Sequence, residues 1–323
     1  LTPLTPLTPL TPITPITPIT PITPRSVLIP VHCSLPMRVF FCLLLILSAC
    51  RSTYVRVPQA GLPAFVHPDN PRLPRISAHR GGGGYVGYPE NCLASFQYLI
   101  EQAPMFIECD VRMSADSVLL LMHDRELDRT TTGTGRVSEQ PWAALDTMHL
   151  IDHLGNQTPH EIPRLDEALR WAKGKAILTL DVKRGVPHEM VVAVVQQAQA
   201  QRYAAIITYR AQDAARVYAL DSTLAISVGI RSAEDRQRLL DLGLDADHLL
   251  AFTGTSLCDP AVYADNHALG IPNLLGTLGN LDRQAVAKGD SLYLRWLELG
   301  VDVIATDRPV EVARLLYQEE KGK

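Results

Sequence analysis

Cysteine is scarce here and badly spaced for metal or disulfide work. The 323 residues hold six, none in a Cys-x-x-Cys arrangement. That excludes a thiolate zinc site and a disulfide framework as organising devices. Beyond Cys50 only Cys92, Cys109 and Cys258 remain, and these read as small core residues. No long block of one charge occurs, and the formal net charge is −4. No basic patch therefore points to nucleic acid. Long apolar runs are missing too: Val39 to Ala49 is eleven residues, where a membrane-spanning helix needs about 20. What is present is a composition 46% hydrophobic, enough for one core of about 250–300 residues rather than two domains.

The first 49 residues carry no acids and only Arg25 and Arg38 as cations. Residues 1–24 are four Leu-Thr-Pro repeats followed by four Ile-Thr-Pro repeats. Proline at every third position forbids helix and sheet ladders, so residues 1–36 are not expected to fold. We read them as translated repetitive DNA ahead of a start at Met37, with a polyproline-like stalk as the other reading. Met37-Arg38 and the apolar run then form a signal peptide over 37–49. Its end, Leu47-Ser48-Ala49-Cys50, resembles a bacterial lipobox, which implies lipidation at Cys50 and a membrane anchor in the cell envelope. Residues 50–75 then read as a proline-rich tether.

From Ile76 onward short apolar runs alternate with amphipathic helical patterns, the mark of a parallel sheet. Strand candidates are Ile76–His79, Met105–Val111, Val118–His123, Ala176–Val182, Ala205–Tyr209, Leu224–Val228, His248–Phe252, Ile271–Leu275 and Asp302–Thr306. Only Arg112 to Ser117 separate the second from the third. A parallel crossover needs a dozen or more residues, so these two must form an antiparallel hairpin. Folding about Ser114–Ser117 brings His123 opposite Glu108, give or take a bulge. Removing the hairpin leaves eight parallel strands. The expected fold is an α/β (β/α)8 TIM barrel over 76–318, with a β-hairpin inserted after the second strand and a short tail at 319–323.

Catalytic groups of such barrels sit at the C-terminal ends of strands. His79 and Arg80 end the first strand, Glu108 and Asp110 the second, and Asp181 and Lys183 the next. Carboxylates two apart share a face and repel unless a cation lies between them. Glu108, Asp110 and Asp181 could supply three oxygen ligands to a hard divalent cation, Mg2+ or Ca2+. Arg80 and Lys183 at the same mouth suit an anionic substrate. Two histidines nearby can move protons near neutral pH. Each motif alone has a plainer account: a strand histidine as a hydrogen-bonded core residue, Asp181-x-Lys183 as a same-face ion pair. Their conjunction at three strand ends points to metal-assisted hydrolysis. His149, His153, His160, His188, His248 and His267 read as surface or structural.

Seven ordered motifs carry a resemblance. They are His79-Arg80-Gly81, Pro89-Glu90-Asn91, Glu108-x-Asp110, His123-Asp124, the run from Arg129 to Gly135, Ile162-Pro163-Arg164-Leu165 and Thr306-Asp307-Arg308-Pro309. Together, over Ile76 to Leu316, the chain resembles the glycerophosphodiester phosphodiesterase family. The resemblance implies a TIM barrel that hydrolyses a small-molecule phosphodiester to glycerol 3-phosphate and an alcohol, using Ca2+ or Mg2+. It implies His79 and His123 as the acid/base pair, Glu108 and Asp110 as metal ligands, and Arg80 as the phosphate contact, with Glu90 and Asn91 supporting them. The chain departs from the family pattern in three places. Asp181-x-Lys183 stands where Glu-x-Lys is usual, Cys92 follows Pro-Glu-Asn in place of Thr, and Leu275–Asn280 lacks an aromatic strand end. Two other readings stay open: a phosphodiesterase of intact phospholipid, phosphoinositide or sphingomyelin-type head groups, and a non-catalytic phosphodiester-binding surface lipoprotein.

Overall fold

The computed structural model describes residues 53–317. The repeats, the signal-like segment and Cys50 lie outside the described residues. The strands in chain order are β1 Ile76–Ala78, β2 Phe106–Met113, β3 Leu119–Leu121, β4 His149–Ile151, β5 Gln157–Glu161, β6 Ile177–Val182, β7 Ala204–Thr208, β8 Ala225–Gly229, β9 Leu249–Phe252, β10 Asn273–Gly276 and β11 Val303–Thr306. Eight of them, β1, β2 and β6 to β11, pair in parallel, and β11 pairs back onto β1 to close the barrel. The expected (β/α)8 barrel is the fold, and β3 is the expected hairpin on β2.

Alternation along the strands builds two layers. Phe106, Ile177, Ala205, Ala225, Leu250, Leu274 and Val303 point inward near the strand starts and form the floor. One strand position in the other direction, Ile107, Leu178, Ala204, Ile226, Leu249 and Ile304 point outward onto the helices. Cys109 is fully buried among them, as a small core residue. The helix Leu165–Ala172 shows the matching pattern, burying Leu165, Ala168, Leu169 and Ala172 on one face.

Three features differ from the sequence expectation. The stretch expected as a tether packs from Val55 to Leu73: Val55, Leu62, Phe65, Val66 and Leu73 are buried against the floor. They cover apolar strand starts that would otherwise face water. The segment between β3 and the helix Leu165–Ala172, for which the sequence suggests no element, has its own small core with Leu120, Met122, Leu127, Val137, Leu145, Leu150 and Ile162. It includes a second hairpin, β4 with β5. Polar residues and Pro159 hide β5 from a period-two reading. Finally, Cys92 occupies the N-cap of the helix Leu93–Gln102 but makes no capping bond, and its side chain is buried in that small core instead.

The turn after β1 is tightly packed. Gly81 has φ +62, and a Cβ there would lie 1.8 Å from Phe96 Cε1. Phe96 is fully buried and cannot withdraw. Gly81→Ala is therefore expected to cost ~2–4 kcal/mol through overpacking and left-handed strain, read as a lower urea midpoint at unchanged m.

Candidate functional site

The acidic centre is set by strand register. Asp110 on β2 lies beside Asp181 on β6, and Glu108 shares the inward face of β2 two residues earlier. Oxygens of all three carboxylates lie within 4.8 Å of one another. Each is anchored differently. Asn91 donates to Asp110 Oδ2 at 2.7 Å and accepts the Asp110 backbone N–H at 2.9 Å. Lys183 Nζ sits 2.6 Å from Asp110 Oδ1 and 2.5 Å from Asp181 Oδ2. The Tyr209 hydroxyl donates to Asp181 at 2.8 Å. Glu108 Oε2 accepts the Arg80 backbone N–H at 2.6 Å.

Burial works to raise Asp110, but Lys183 and Asn91 outweigh it and hold the carboxyl below its ordinary range. Glu108 is pushed well above its range, first by burial and then by the charge of Asp110. One ammonium among three close carboxylates leaves this cluster short of positive charge. The all-oxygen donor set and the unrelieved Glu108 fit a hard divalent cation. Lys183, expected from its position as a phosphate contact, is instead engaged on both sides by carboxylates.

Both histidines stand at this mouth, each oriented by a carboxylate. His79 follows β1 directly, and its Nδ1 is 2.6 Å from Asp307 Oδ1 beyond β11. His123 follows β3, with Nδ1 2.7 Å from Asp124 Oδ1. A carboxylate accepts, so Nδ1 carries a proton in each ring. Arg80 Nη2 donates to His123 Nε2 at 2.9 Å, consistent with that tautomer. The hairpin register is one residue from the expected one: Met113 pairs Leu119 and Val111 pairs Leu121, which sets His123 beside Cys109 rather than Glu108. Beyond the paired residues, the His123 side chain meets Arg80. Arg112 fixes the loop by donating to the His123 carbonyl from Nε at 2.9 Å and Nη2 at 2.5 Å.

A closed ring of polar contacts holds Arg80. Arg80 meets Glu90 at 3.3 Å, Glu90 meets Arg129 at 2.7 Å, Arg129 meets Asp124 at 2.5 Å, and Asp124 holds His123. Arg129 keeps Asp124 far below the usual carboxylate range. Arg80 itself adopts φ 53, in the left-handed region, which turns its N–H toward Glu108 and its carbonyl toward the Asn91 N–H. Its Nε is buried and has no hydrogen-bond partner among the described residues. A buried guanidinium N–H without an acceptor, at the rim of an acidic centre, is a place for an anionic group.

The cavity beside these groups has a volume of about 260 Å3. Its lining includes His79, Glu108 and Asp181 together with Tyr209, Phe252, Leu274 and Leu278. The aromatic missing from Leu275–Asn280 is thus supplied by Phe252 on β9. Gly276 leaves room for it, because a Cβ there would lie 3.0 Å from the Phe252 ring.

The site residues expected from the sequence, His79, Arg80, Glu90, Asn91, Glu108, Asp110, His123, Asp181 and Lys183, all converge here. Asp307, Asp124, Arg129, Tyr209 and Phe252 join them, with no site role legible beforehand. Asp124 and Arg129 could have been found by asking which carboxylate orients His123. Asp307 needed the closure of β11 onto β1. His248 and His267 hold Leu224 O and Asp302, as structural residues do.

Comparison with known proteins gives this constellation a family. The glycerophosphoryl diester phosphodiesterase family matches residues 79–311. A Bacillus subtilis glycerophosphodiester phosphodiesterase is 34% identical over 101 residues, 28% of this chain and 34% of that protein. Human glycerophosphodiester phosphodiesterase 1 is 32% identical over 148 residues, 43% of this chain and 40% of that protein. The matched stretches span between 26% and 47% of the curated relatives' own lengths. Among solved structures, a Parabacteroides distasonis glycerophosphoryl diester phosphodiesterase superposes with a TM-score of 0.74 at 32% identity, covering 82% of this chain and 94% of that one. With the match running from His79 past Asp307, through every strand end that bears a site residue, the chain belongs to the glycerophosphoryl diester phosphodiesterase family.

Proposed function

We propose that the chain hydrolyses glycerophosphodiesters to glycerol 3-phosphate and an alcohol by histidine acid/base catalysis. The observation that carries this reading is the arrangement around Arg80. Its buried Nε has no partner among the described residues, its Nη2 meets His123, and the two Nδ1-protonated histidines and three carboxylates stand nearby. Arg80 takes a non-bridging phosphate oxygen and, in doing so, releases His123 Nε2 for chemistry. One histidine accepts the proton of the attacking oxygen, either water or the neighbouring glycerol hydroxyl, whose attack would give a cyclic phosphate that water then opens. The other enters the step as imidazolium and donates its Nε2 proton to the departing alcohol oxygen as the P–O bond breaks. Asp124 and Asp307 hold the rings and offset the charge of the imidazolium that forms. Glu108, Asp110 and Asp181 would hold the divalent cation, Ca2+ or Mg2+, which supplies charge neutralisation at the phosphate. Lys183 keeps Asp110 and Asp181 close together. The wall of Phe252, Leu274 and Leu278 takes the carbon skeleton of the substrate.

A panel of glycerophosphodiesters and intact phospholipids, each with Ca2+, Mg2+ or Mn2+ and with products identified, tests the reading. Free glycerol 3-phosphate is the expected product. Diacylglycerol or ceramide would instead favour a lipid phosphodiesterase, and binding without turnover in any metal would favour a binding protein. We also propose a lipid anchor at Cys50 in the bacterial cell envelope, supported by Leu47-Ser48-Ala49-Cys50 after a short apolar run. Fatty-acid labelling that is lost in Cys50→Ala is the expected result, and equal labelling would remove the anchor.

A further inference from the structure

The fold assembles a basic cavity that the sequence does not advertise. Arg112 at the end of β2, Arg125 after β3, Arg136 ahead of the short turn at Val137, and Arg184 after β6 line one pocket of about 290 Å3. No acidic residue lines it. Arg125 and Arg184 have no ion pair or side-chain hydrogen bond among the described residues, and both are exposed. Arg136 has only exposed partners, Glu126 at 3.8 Å and Glu139 at 3.4 Å, and such pairs contribute little. Arg112 spends Nε and Nη2 on the His123 carbonyl. Four like charges from four separate segments repel one another; carboxylates outside the lining act on Arg112 and Arg136, and Arg125 and Arg184 have no ion pair among the described residues.

We propose that this cavity is an anion subsite for a phosphate-class dianion, beside the acidic centre and separate from it. Guanidinium forks match phosphate oxygens in paired hydrogen bonds, and two of the four are uncommitted. The chain is acidic overall, so a local basic pocket selects one anionic group rather than a nucleic-acid surface. The cavity is also wired to the reaction site, since Arg112 touches both the pocket and the His123 loop. The dianion could be a second phosphate on the substrate's alcohol, a phosphomonoester lipid headgroup or a free phosphate compound. All three share one chemistry.

The test is calorimetric titration of inorganic pyrophosphate into the full chain, compared with Arg125→Gln/Arg184→Gln and with Arg80→Gln. The expected result is binding weakened by ~100-fold in the double variant and retained in Arg80→Gln, because Arg80 does not line this cavity. Equal binding by wild type and double variant, or no binding by wild type, overturns the proposal, whatever the outcome for hydrolysis. Should the double variant melt lower than wild type, the two single variants take its place, each expected ~10-fold weaker. Two further arms identify the source. Loss of preference for a glycerophosphodiester whose alcohol carries a phosphomonoester, over its unphosphorylated counterpart, assigns the substrate. Loss of co-sedimentation with phosphatidate vesicles assigns a headgroup. Both unchanged, with pyrophosphate binding lost, assigns free phosphate compounds.

Discussion

His123→Gln is expected to lower kcat on a glycerophosphodiester by ~10²–10⁴-fold at saturating metal, with His79→Gln falling in the same range. Glutamine keeps polar contacts at either position but cannot pass a proton. His123 Nδ1 is committed to Asp124 and His79 Nδ1 to Asp307, so each ring has one nitrogen, Nε2, left for the reaction. If the two rings serve one step as base and acid, their losses do not multiply: the double variant should fall little below the worse single one. Asp124→Asn separates positioning from proton transfer. It frees the His123 ring to change tautomer and cuts the ring of contacts at Arg129, so kcat should drop while KM changes little. Near-full metal-dependent turnover in either histidine variant would remove that residue from the mechanism. A bell-shaped dependence of kcat/KM on pH that loses one limb in each variant would confirm the pairing.

The extent to which this site is legible in the chain depends on how locally each contact is made. Carboxylates at 108 and 110 share a strand face by period two alone, and Asp181 joins them because the barrel places β6 beside β2. Six residues between two strands force a hairpin, so the return of His123 to the mouth follows from chain length. Its register does not. Ser117 takes φ 66, and Ser114 Oγ accepts the Val118 N–H, a turn geometry that shifts the pairing by one residue. His123, beyond the paired residues of β3, reaches Arg80 from the loop that follows. The role of Lys183 is hidden for a different reason. Two residues after Asp181, it is equally placed to reach substrate or carboxylate, and only the depth of Asp110 decides. The His79–Asp307 contact joins residues 228 apart in the chain. It exists because β11 closes on β1, and barrel closure is visible only as a count of strands. The same holds for the arginine cavity, whose members are unremarkable until four strand and loop ends converge.

Lys183→Met should expose what the ammonium does. It removes the positive charge between Asp110, whose side chain is 1% exposed, and Asp181, at 10%. Both then face Glu108 with no cation, and breaking a buried pair from one side costs about 3–5 kcal/mol. The loss is expected in chelator, as a melting temperature several degrees below wild type. Adding Ca2+ or Mg2+ should then raise the melting temperature of the variant more than that of wild type, because binding to the folded carboxylate cluster stabilises by mass action. The pH dependence has a definite sign. The folded Asp110 carboxyl is held below its ordinary value of 3.8, so its contribution is present above that value and is lost as pH falls through the folded one. The deficit of Lys183→Met should therefore be full at neutral pH and shrink as the pH falls from about 4 through the lowered folded value of Asp110, below which that carboxyl no longer needs the lysine. Glu108, pushed up by burial, takes its proton first on that path. A variant that melts with wild type in chelator at pH 7 would show that Lys183 does not hold the cluster, and would return it to the phosphate-binding role. Turnover separates the two roles again. A lysine that organises ligands raises the metal concentration needed for half-activity when lost. A lysine that binds phosphate raises KM at saturating metal.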